Sequence, residues 1–499
     1  MRKTILSVAM SLAVGLTAAS QAKANTLRIA ESSDIASLDA YSVTESSTIA
    51  FLHHVYEPLV RYNDRLELEP ALATAWETVE PTVWRFHLRD GVTFHNGNPF
   101  DADDVVASIK RVLDAPIKVN VPTVVDARRV DDLTVDIVLS KPDPLLLNYL
   151  TNVYLFDNEW MIEHDALKTA NVYQGEENYA TTHANGTGPF KLKSRQPDAK
   201  TVLEVNPGWW DNPKHNLTEI VFTPIASDAT RVAALLSGEI DLMRPAPLQD
   251  ISRIEAMAGV RAMQSPSLRT ILLGLRQGQD ELLYSDVKGR NPMSDLRVRK
   301  ALYQAINIDL IRQKIMRGQS RNATLVVAPE VPGFDPARQR HSYDPAAARA
   351  LLAEAGYPDG FRVGMDCPNN HYVNDDEICQ AIVSMWAKVG VEASLNAQGK
   401  STYFEKVLQG DADIYMLGWA TLPMLDSYSA LSAFLTTKTE KLGIWNVGQY
   451  SNARVDEITE QVAGELDQGK RLALMNEALG IVSDEVAVIP LHQQPLSWG

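Results

Sequence analysis

The residues of this chain that could perform chemistry are few, and their spacing does not match a catalytic or metal centre. Gly186-Thr187-Gly188 lacks the lysine and the hydroxyl residue that complete a phosphate-binding loop, which favours a tight turn. His53 and His54 are neighbours that would point to different faces of a helix, so they are poor co-ligands for a metal. Asp103-Asp104 stands at a predicted helix start, where acidic side chains stabilise the helix dipole. Because no His-Glu-x-x-His or Gly-x-Ser-x-Gly motif is present either, the sequence predicts no enzyme and no metal or cofactor site.

The amino-terminal segment, residues 1–24, is typical of a cleaved secretory signal peptide. A basic start precedes an apolar stretch from Ile5 to about Ala19, and Ala22-Lys23-Ala24 is a small-x-small cleavage pattern. That stretch is shorter than the roughly 18 residues that a membrane span needs. A lipoprotein would carry a cysteine at the cleavage point, whereas Asn25 stands there. We therefore expect a periplasmic protein that is neither a lipoprotein nor embedded in a membrane.

Cys367 and Cys379 are the only cysteines of the chain. In the oxidising compartment that a signal peptide implies, this pair favours a disulfide. Closing a loop of that size would stabilise the fold by roughly 3 kcal/mol. Two buried free thiols are the alternative, and a metal site would need more ligands nearby than His371 alone.

The charge balance argues against nucleic acid as a partner. The chain has 499 residues, with 47 Lys and Arg against 63 Asp and Glu, a formal net charge of −16. Cleavage of the predicted signal peptide would remove three basic residues and no acidic one, and no basic run remains to form a phosphate-binding patch. The length indicates two or three domains, and a hydrophobic fraction of 45% supports large cores.

Short β patterns alternate with amphipathic helices along the chain, which predicts an α/β fold. Trp84 to Arg89 alternates in polarity and is predicted to be a strand, and Asp101 is predicted to cap the helix that follows. Ser294 is predicted to cap a later helix. Asp344-Pro345 is a strong helix start signal, and Ile414 to Leu417 favours a buried strand.

Several motifs occur in an order and spacing that resemble one family, the bacterial extracellular solute-binding proteins of family 5, which includes dipeptide-, oligopeptide- and nickel-binding periplasmic proteins. The residues that carry the resemblance are Leu59-Val60-Arg61-Tyr62, Leu72 to Glu77, Phe86 to Gly97, Ala102 to Ser108, Gly186 to Phe190, Arg231 to Leu242, Asp295 to Asn307 and Tyr343 to Phe361. They span nearly the whole chain after the signal peptide.

The resemblance implies a two-lobed α/β fold of the periplasmic binding protein type, type II, with an extra subdomain in the first lobe. A ligand would be enclosed between the lobes by hinge closure, and the closed form would be recognised by the transporter. The ranges that it implies are 25–65, 186–268 and 485–499 for the first lobe, 66–185 for the inserted subdomain and 269–484 for the second lobe. It also implies that the carboxyl terminus normally continues beyond Gly499.

Two segments are implied as ligand-binding by the resemblance. Tyr372 would offer an aromatic ring, with Asn370 and His371 beside it as polar contacts. The alternative for this segment is a surface turn before a helix. Trp419 corresponds to a tryptophan that the family places facing the hinge, where an indole gives a large contact area and one polar group.

The family's peptide-binding members carry an aspartate three residues after that tryptophan, which pairs with the free amino group of the peptide. Leu422 stands at this position. Asp426, in the same loop, could take the role if the loop folds back. Otherwise the ligand need not have a free amino terminus, because a buried ammonium without a partner costs several kcal/mol.

A third segment, at the front of the first lobe, carries short hydrogen-bonding side chains before a helix. Ser33, Thr44 and Glu45 are the ligand-binding candidates there. Helix capping is the competing explanation.

Together these features predict a monomeric periplasmic substrate-binding protein of an ABC transporter. It would bind a peptide or peptide-like solute and deliver it to the permease subunits in the inner membrane. A non-peptide cargo, such as a metal chelate, an opine or an oligosaccharide, is the alternative within this class. An extracytoplasmic hydrolase or chaperone is the alternative outside it.

Overall fold

A computed structural model describes residues 25–116 and 121–499, so the predicted signal peptide lies outside the described residues. The strands, in chain order, are β1 Thr26–Glu31, β2 Val60–Tyr62, β3 Leu68–Pro70, β4 Ala73–Glu80, β5 Val83–Leu88, β6 Val124–Asp131, β7 Thr134–Leu139, β8 Phe190–Gln196, β9 Lys200–Val205, β10 Glu219–Pro224, β11 Leu242–Arg244, β12 Met263–Leu275, β13 Arg321–Asn322, β14 Phe361–Pro368, β15 Val391–Gln398, β16 Ile414–Ala420 and β17 Val488–Trp498.

The α-helices, in chain order, are α1 Ser46–Leu52, α2 Ala102–Asp114, α3 Leu146–Leu150, α4 Asn158–Glu163, α5 Tyr179–Thr182, α6 Asp228–Leu236, α7 Ile251–Glu255, α8 Leu296–Gln304, α9 Ile308–Leu310, α10 Pro345–Glu354, α11 Asp375–Ala387, α12 Lys400–Leu408, α13 Tyr428–Ala430, α14 Ala453–Val462 and α15 Gln468–Asp484. Among the described residues, none of these helices is long and apolar enough to cross a membrane.

The first lobe is built on a five-stranded sheet of order β11-β1-β10-β9-β8. Strand β1 runs parallel to both β10 and β11, while β8 and β9 add antiparallel pairs at the other edge. Helix α6 connects β10 to β11 and buries Val232 and Leu235 against Ala30 and Met243 of the sheet. Because β1, β10 and β11 are parallel, their carboxyl ends lie at one edge of the lobe.

The inserted subdomain is a four-stranded antiparallel sheet of order β4-β5-β7-β6, covered by α2. The predicted strand at Trp84 to Arg89 is observed as β5, with Phe86 and Leu88 buried. Asp101 caps α2 as predicted, through a capping box with Asp104.

The second lobe is built on a six-stranded sheet of order β13-β17-β12-β16-β14-β15. Strand β14 pairs in parallel with both β15 and β16, whereas β12 is antiparallel to β16 and β17. The core on one face includes Ile271, Met365 and Trp386, and the core on the other includes Leu272 and Leu417. The predicted buried strand at Ile414 to Leu417 is the start of β16.

The last strand differs from the range 485–499 that was predicted for the first lobe. Val488 to Gln493 belongs to the second-lobe sheet, because it pairs with β12 and, at its end, with β13. Only the end of the chain reaches the first lobe, where Gly499 and Met243 of β11 exchange backbone hydrogen bonds of 2.9 and 3.2 Å. The paired strands β12 and β17 therefore join the two lobes.

One predicted helix start is displaced by a residue. Asp295, not Ser294, caps α8, because its carboxylate accepts the amide N–H of Arg297 at 2.8 Å while Ser294 ends a short 3-10 turn. The start at Asp344-Pro345 is as predicted, with the Asp344 carboxylate accepting two amide N–H groups of α10.

The predicted disulfide is present and joins Cys367 of β14 to Cys379 of α11. Both residues are fully buried in the second-lobe core. The link ties the loop between these two elements, residues 369–374, to the sheet. The sequence candidates Asn370, His371 and Tyr372 lie in this loop.

We predict that the double substitution Cys367→Ser, Cys379→Ser lowers the free energy of unfolding by about 3 kcal/mol, because it removes the restriction on the unfolded chain. Urea denaturation monitored by circular dichroism measures this change. Thiol titration of the denatured, unreduced protein should find no free thiol. Reduction of the wild type should reproduce the loss, and a double variant as stable as the wild type would contradict the assignment.

Candidate functional site

The candidate site is a cleft where the two lobes face each other. Open α/β sheets bind ligands outside the carboxyl ends of their parallel strands. A cavity of about 440 Å³ lies at this position. Its lining comes from the segment after β11 in the first lobe, from the loop after β14 in the second lobe and from the end of β17, and includes Arg244, Gln249, His371, Asn374, Gln494 and Trp498.

Tyr372 is held in the second lobe by its hydroxyl, which accepts the backbone N–H of Gly418 at 2.8 Å. A Cβ atom at Gly418 would come within 2.5 Å of the tyrosine ring, so only glycine allows this approach. The ring is 7% exposed. Tyr372 therefore anchors the loop after β14 onto β16, and it presents little of its own surface to a ligand.

His371 lines the cavity and lies beside Tyr372, with ring centroids 4.4 Å apart. Burial, together with the nearby charges of Lys400 and Arg269, lowers the pKa of His371 to about 4. The imidazole is therefore neutral at neutral pH. Asn370 lies further out, where its side-chain oxygen accepts the N–H of Lys400 at 2.8 Å, which ties the loop to the start of α12.

A row of partly exposed aromatic rings extends from the cavity along the second lobe. We call His371, Phe404, Trp445 and Trp419 the aromatic wall. Successive ring centroids are 5.1, 5.9 and 6.3 Å apart, and each pair is in edge-to-face contact. The indole N–H of Trp419 donates to Ser429 at 2.9 Å, so the polar group of this ring is already satisfied. The wall can contribute apolar contact and stacking to a bound solute.

Arg269 lies at the end of the same sheet, beside the last residue of β16. Its guanidinium donates one hydrogen bond, to the carbonyl of Gly418 at 3.1 Å, and stands 6.0 Å from the Tyr372 ring centroid. The side chain is partly exposed. Among the described residues, no carboxylate lies within ion-pair distance of it.

Asp426 does not have the geometry of a free ammonium anchor, which corrects the sequence prediction. It forms a buried ion pair with Arg471 of α15, with two guanidinium hydrogen bonds, and its side chain is 4% exposed. Asp426 also accepts the N–H of Tyr428 at 2.8 Å. Because the carboxylate is already neutralised and satisfied, it holds the loop to α15 instead of facing a ligand.

The loop that contains Leu422 makes direct contacts between the lobes. The Tyr62 hydroxyl donates to the carbonyl of Pro423 at 2.7 Å, and the Asn148 amide donates to the carbonyl of Met424 at 2.8 Å. Asn148 also donates to the Tyr62 hydroxyl at 2.8 Å. Leu422 is 49% exposed and supplies no polar group at the position of the family's aspartate.

The candidates at the front of the first lobe lie apart from this cavity. Thr44 and Glu45 both contact the hydroxyl of Tyr173, at 3.1 and 2.7 Å. Glu45 precedes α1 but forms no side-chain capping bond, so the capping alternative is not observed there. Ser33 is exposed just after β1. These residues do not join the second-lobe candidates in one cluster.

Gly186-Thr187-Gly188 packs against the backbone of Val55, where a Cβ at Gly186 would meet the Val55 carbonyl at 2.0 Å. The Thr187 hydroxyl donates to the buried carboxylate of Glu57 at 2.9 Å. This segment is therefore a structural turn, and its hydroxyl is not available to a phosphate.

In the described part of the chain, the one cluster with metal-ligand spacing is Asp104, Asp157 and Glu159. The two buried carboxylates have structural partners. Asp104 accepts the backbone N–H groups of Asp101 and Asn158, and the cap of α4 is formed by Asp157. Burial raises the pKa of Asp104 to about 8, which favours its neutral form at neutral pH. These contacts explain the cluster without a metal.

Sequence analysis missed Arg269, Phe404 and Trp445. A partial signal existed, since Arg269 lies inside β12, just before the apolar residues at its end, where a cation is uncommon. Phe404 and Trp445 are far apart in sequence and meet only through the packing of α12 against the loop that follows Leu435, so local patterns could not bring them together.

Comparison with known proteins identifies the family. The model of the bacterial extracellular solute-binding proteins, family 5, matches residues 67–441. The chain belongs to this family. It is 27% identical to the periplasmic murein peptide-binding protein MppA of Escherichia coli, over 92% of this chain and 86% of that protein. It is also 27% identical to the dipeptide-binding protein of E. coli, over 98% and 93% of the two chains.

The fold is shared with solved structures of other binding proteins. NikA from Brucella suis, in complex with Fe(III)-EDTA, matches with a TM-score of 0.81 and 24% identity, over 95% of each chain. The two-lobed α/β architecture that the sequence predicted is therefore confirmed. The family's members bind solutes, which agrees with a cleft lined by aromatic and hydrogen-bonding groups.

We predict that Asp426→Asn lowers the free energy of unfolding by about 3 to 5 kcal/mol, because it leaves the buried Arg471 guanidinium without a counter-charge. Urea denaturation measures the change, with the exposed Asp280→Asn as a matched control. Arg471→Gln should cost a similar amount, and the double variant should lose less than the sum of the two. A stable Asp426→Asn variant with weakened peptide binding would instead restore Asp426 as a ligand anchor.

Proposed function

We propose that this protein is the periplasmic substrate-binding component of an ABC importer for peptides or peptide-like solutes. The observation that carries the proposal is the cavity between the lobes of a chain that belongs to a solute-binding family. Relatives named for murein peptide and dipeptide binding support the peptide class. The protein would work as a monomer and deliver its cargo to the permease subunits in the inner membrane.

Binding is expected to proceed by hinge closure about β12 and β17. A ligand shifts an equilibrium between open and closed forms only by the contacts that it gains in the closed form. The cleft supports this mechanism because its lining is divided between the lobes, with Arg244 and Gln249 on one side and His371 and Asn374 on the other. A solute in the cleft would therefore complete its contacts only when the lobes approach.

The cleft groups favour binding over catalysis. His371 is neutral, its ring forms no hydrogen bond with a nucleophile or a carboxylate among the described residues, and the nearby Asp375 carboxylate is bonded to backbone N–H groups. Tyr372 is fixed by its bond to Gly418. Catalysis would need an activated nucleophile, a general base or a metal centre in mutual reach. We infer that the protein binds its cargo without chemical change.

A non-peptide cargo is the second candidate, and one observation favours it. The position of the family's aspartate is Leu422, and the nearest acid in the loop, Asp426, is neutralised by Arg471. A free ammonium would thus find no carboxylate in this loop. The fold itself is compatible with a cargo of another class, since the similar NikA structure holds Fe(III)-EDTA.

We predict that a bound solute reduces the radius of gyration, because the hinge closes around it. Small-angle scattering before and after saturation with a tri- to pentapeptide mixture measures this, and calorimetry on the same samples confirms occupancy. Native mass spectrometry of protein purified from its host would identify the natural cargo. Occupied protein with an unchanged radius would contradict closure, and the absence of peptide binding would favour the second candidate.

We also predict that Asn148→Ala weakens solute binding about 2- to 12-fold, because it removes the hydrogen bond to Met424 that joins the lobes and such a bond contributes about 0.5 to 1.5 kcal/mol. Calorimetry with the same peptides measures the affinity. The exposed Asn212→Ala in the first lobe is the matched control and should bind as the wild type does. An unchanged affinity in Asn148→Ala would show that the contact to Met424 does not belong to the binding-competent form.

A further inference from the structure

Four acidic side chains near the cleft have partners in the protein, whereas one basic side chain, Arg269, has no counter-ion among the described residues. Glu31 pairs with Arg244, and Asp228, the acid in the cavity lining, pairs with Arg231 at 2.5 Å. Asp375 accepts the backbone N–H groups of the loop after β14, at residues 371 and 372, both at 2.9 Å. Asp426 is neutralised by its buried ion pair in the second lobe.

Arg269 is the opposite case. A guanidinium has five N–H donors, and the structure gives this one a single hydrogen bond, to the carbonyl of Gly418. The side chain is partly buried, and its neighbour, the Tyr372 ring 6.0 Å away, supplies no negative charge. In residues 25–116 and 121–499, no Asp or Glu forms an ion pair with it.

The position of Arg269 links this free charge to the cleft. It stands opposite Ala420, at the end of β16 from which the loop of Leu422 begins. Its guanidinium stands 6.0 Å from the centroid of the Tyr372 ring, and that ring lies 4.4 Å from the ring of His371, which lines the cavity. The aromatic wall begins at this histidine, so a charged site and an apolar surface lie side by side.

We propose that Arg269 is a binding residue for a carboxylate of the cargo, and that the cargo is an anionic solute whose amino group, where it has one, is blocked or left in solvent. The inference rests on the proposed function and deepens it. Arginine suits this role because its planar fork binds both oxygens of a carboxylate. The apolar part of the same solute would contact the aromatic wall.

The same arrangement disfavours a buried ammonium. A cationic group in the cleft would approach Arg269, and the four acids named above are already paired or hydrogen-bonded in the protein, with only Asp228 more than half exposed. A buried charge without a partner is strongly unfavourable. The cleft is thus expected to prefer a negatively charged solute, whereas a site that holds a free amino terminus through an aspartate prefers a positively charged group.

The test is calorimetry with matched probes. One set contains tripeptides as free acids, as N-acetylated free acids and as N-acetylated carboxyl-terminal amides. A second set contains N-acetylated amino acids and succinate, each with its uncharged amide. We expect wild type to bind the N-acetylated acids within about threefold of the free peptides and to bind the amides at least 30-fold more weakly, as is typical when one partner of a buried charge pair is lost.

Variants test whether the preference for carboxylates over amides depends on the Arg269 side chain. Arg269→Gln should weaken binding of the acids about 30-fold and leave binding of the amides unchanged, and Arg269→Lys should retain part of the affinity for the acids. Arg349→Gln, an exposed arginine remote from the cleft, is the matched control. Urea denaturation of each variant verifies that the fold is retained.

The outcomes separate this inference from the proposed function. Peptides that bind equally as acids and amides, or an Arg269→Gln variant within twofold of wild type, would overturn the role of Arg269 while peptide binding stands. If small carboxylates bind through Arg269 while no peptide binds, the role of Arg269 as a carboxylate-binding residue is supported and the proposal of a peptide cargo is rejected. A wild type that binds no carboxylate of either set would overturn the inference.

Discussion

The pairing of β12 with β17 is the constraint on which the rest of the molecule depends. Along one stretch these strands occupy the middle of the second-lobe sheet, between β13 and β16, and at their other end they continue toward the first lobe. Gly499 extends that ladder to Met243 of β11. The two lobes can therefore change their angle only by bending or twisting this ribbon, and the residues along its middle, including Arg269, are positioned relative to both lobes at once.

Close packing at glycine fixes the second-lobe side of the cleft. Gly418 admits the Tyr372 ring, and a Cβ at Gly274 would meet the ring of Tyr415 at 2.1 Å. The disulfide joins the two elements on either side of the loop after β14, and the bond between Tyr372 and Gly418 holds the middle of that loop. A recognition loop that is fixed in this way loses little conformational entropy when a solute binds, which favours affinity.

Sequence reasoning was reliable where the signal is local. Asp344-Pro345 and Asp101 act through neighbouring amides, so their capping could be read from the residues themselves. The order and spacing of the sequence motifs likewise predicted the family and its fold. The partner of Asp426 is 45 residues away in α15, and no local pattern shows whether a carboxylate faces solvent, ligand or an arginine.

The same limit explains Arg269. An arginine within a strand is ordinarily interpreted as a side chain on the solvated face, and only the assembled sheet shows that Arg269 lies beside Tyr372 and opposite the end of β16. Leaving a guanidinium partly buried without a counter-ion costs free energy in the unliganded protein. A solute that supplies the missing carboxylate recovers that cost on binding, so the unsatisfied charge acts as a source of both affinity and selectivity. The buried ion pair of Asp426 with Arg471 shows the contrasting design, in which the protein satisfies its own charge and none is left for a cargo.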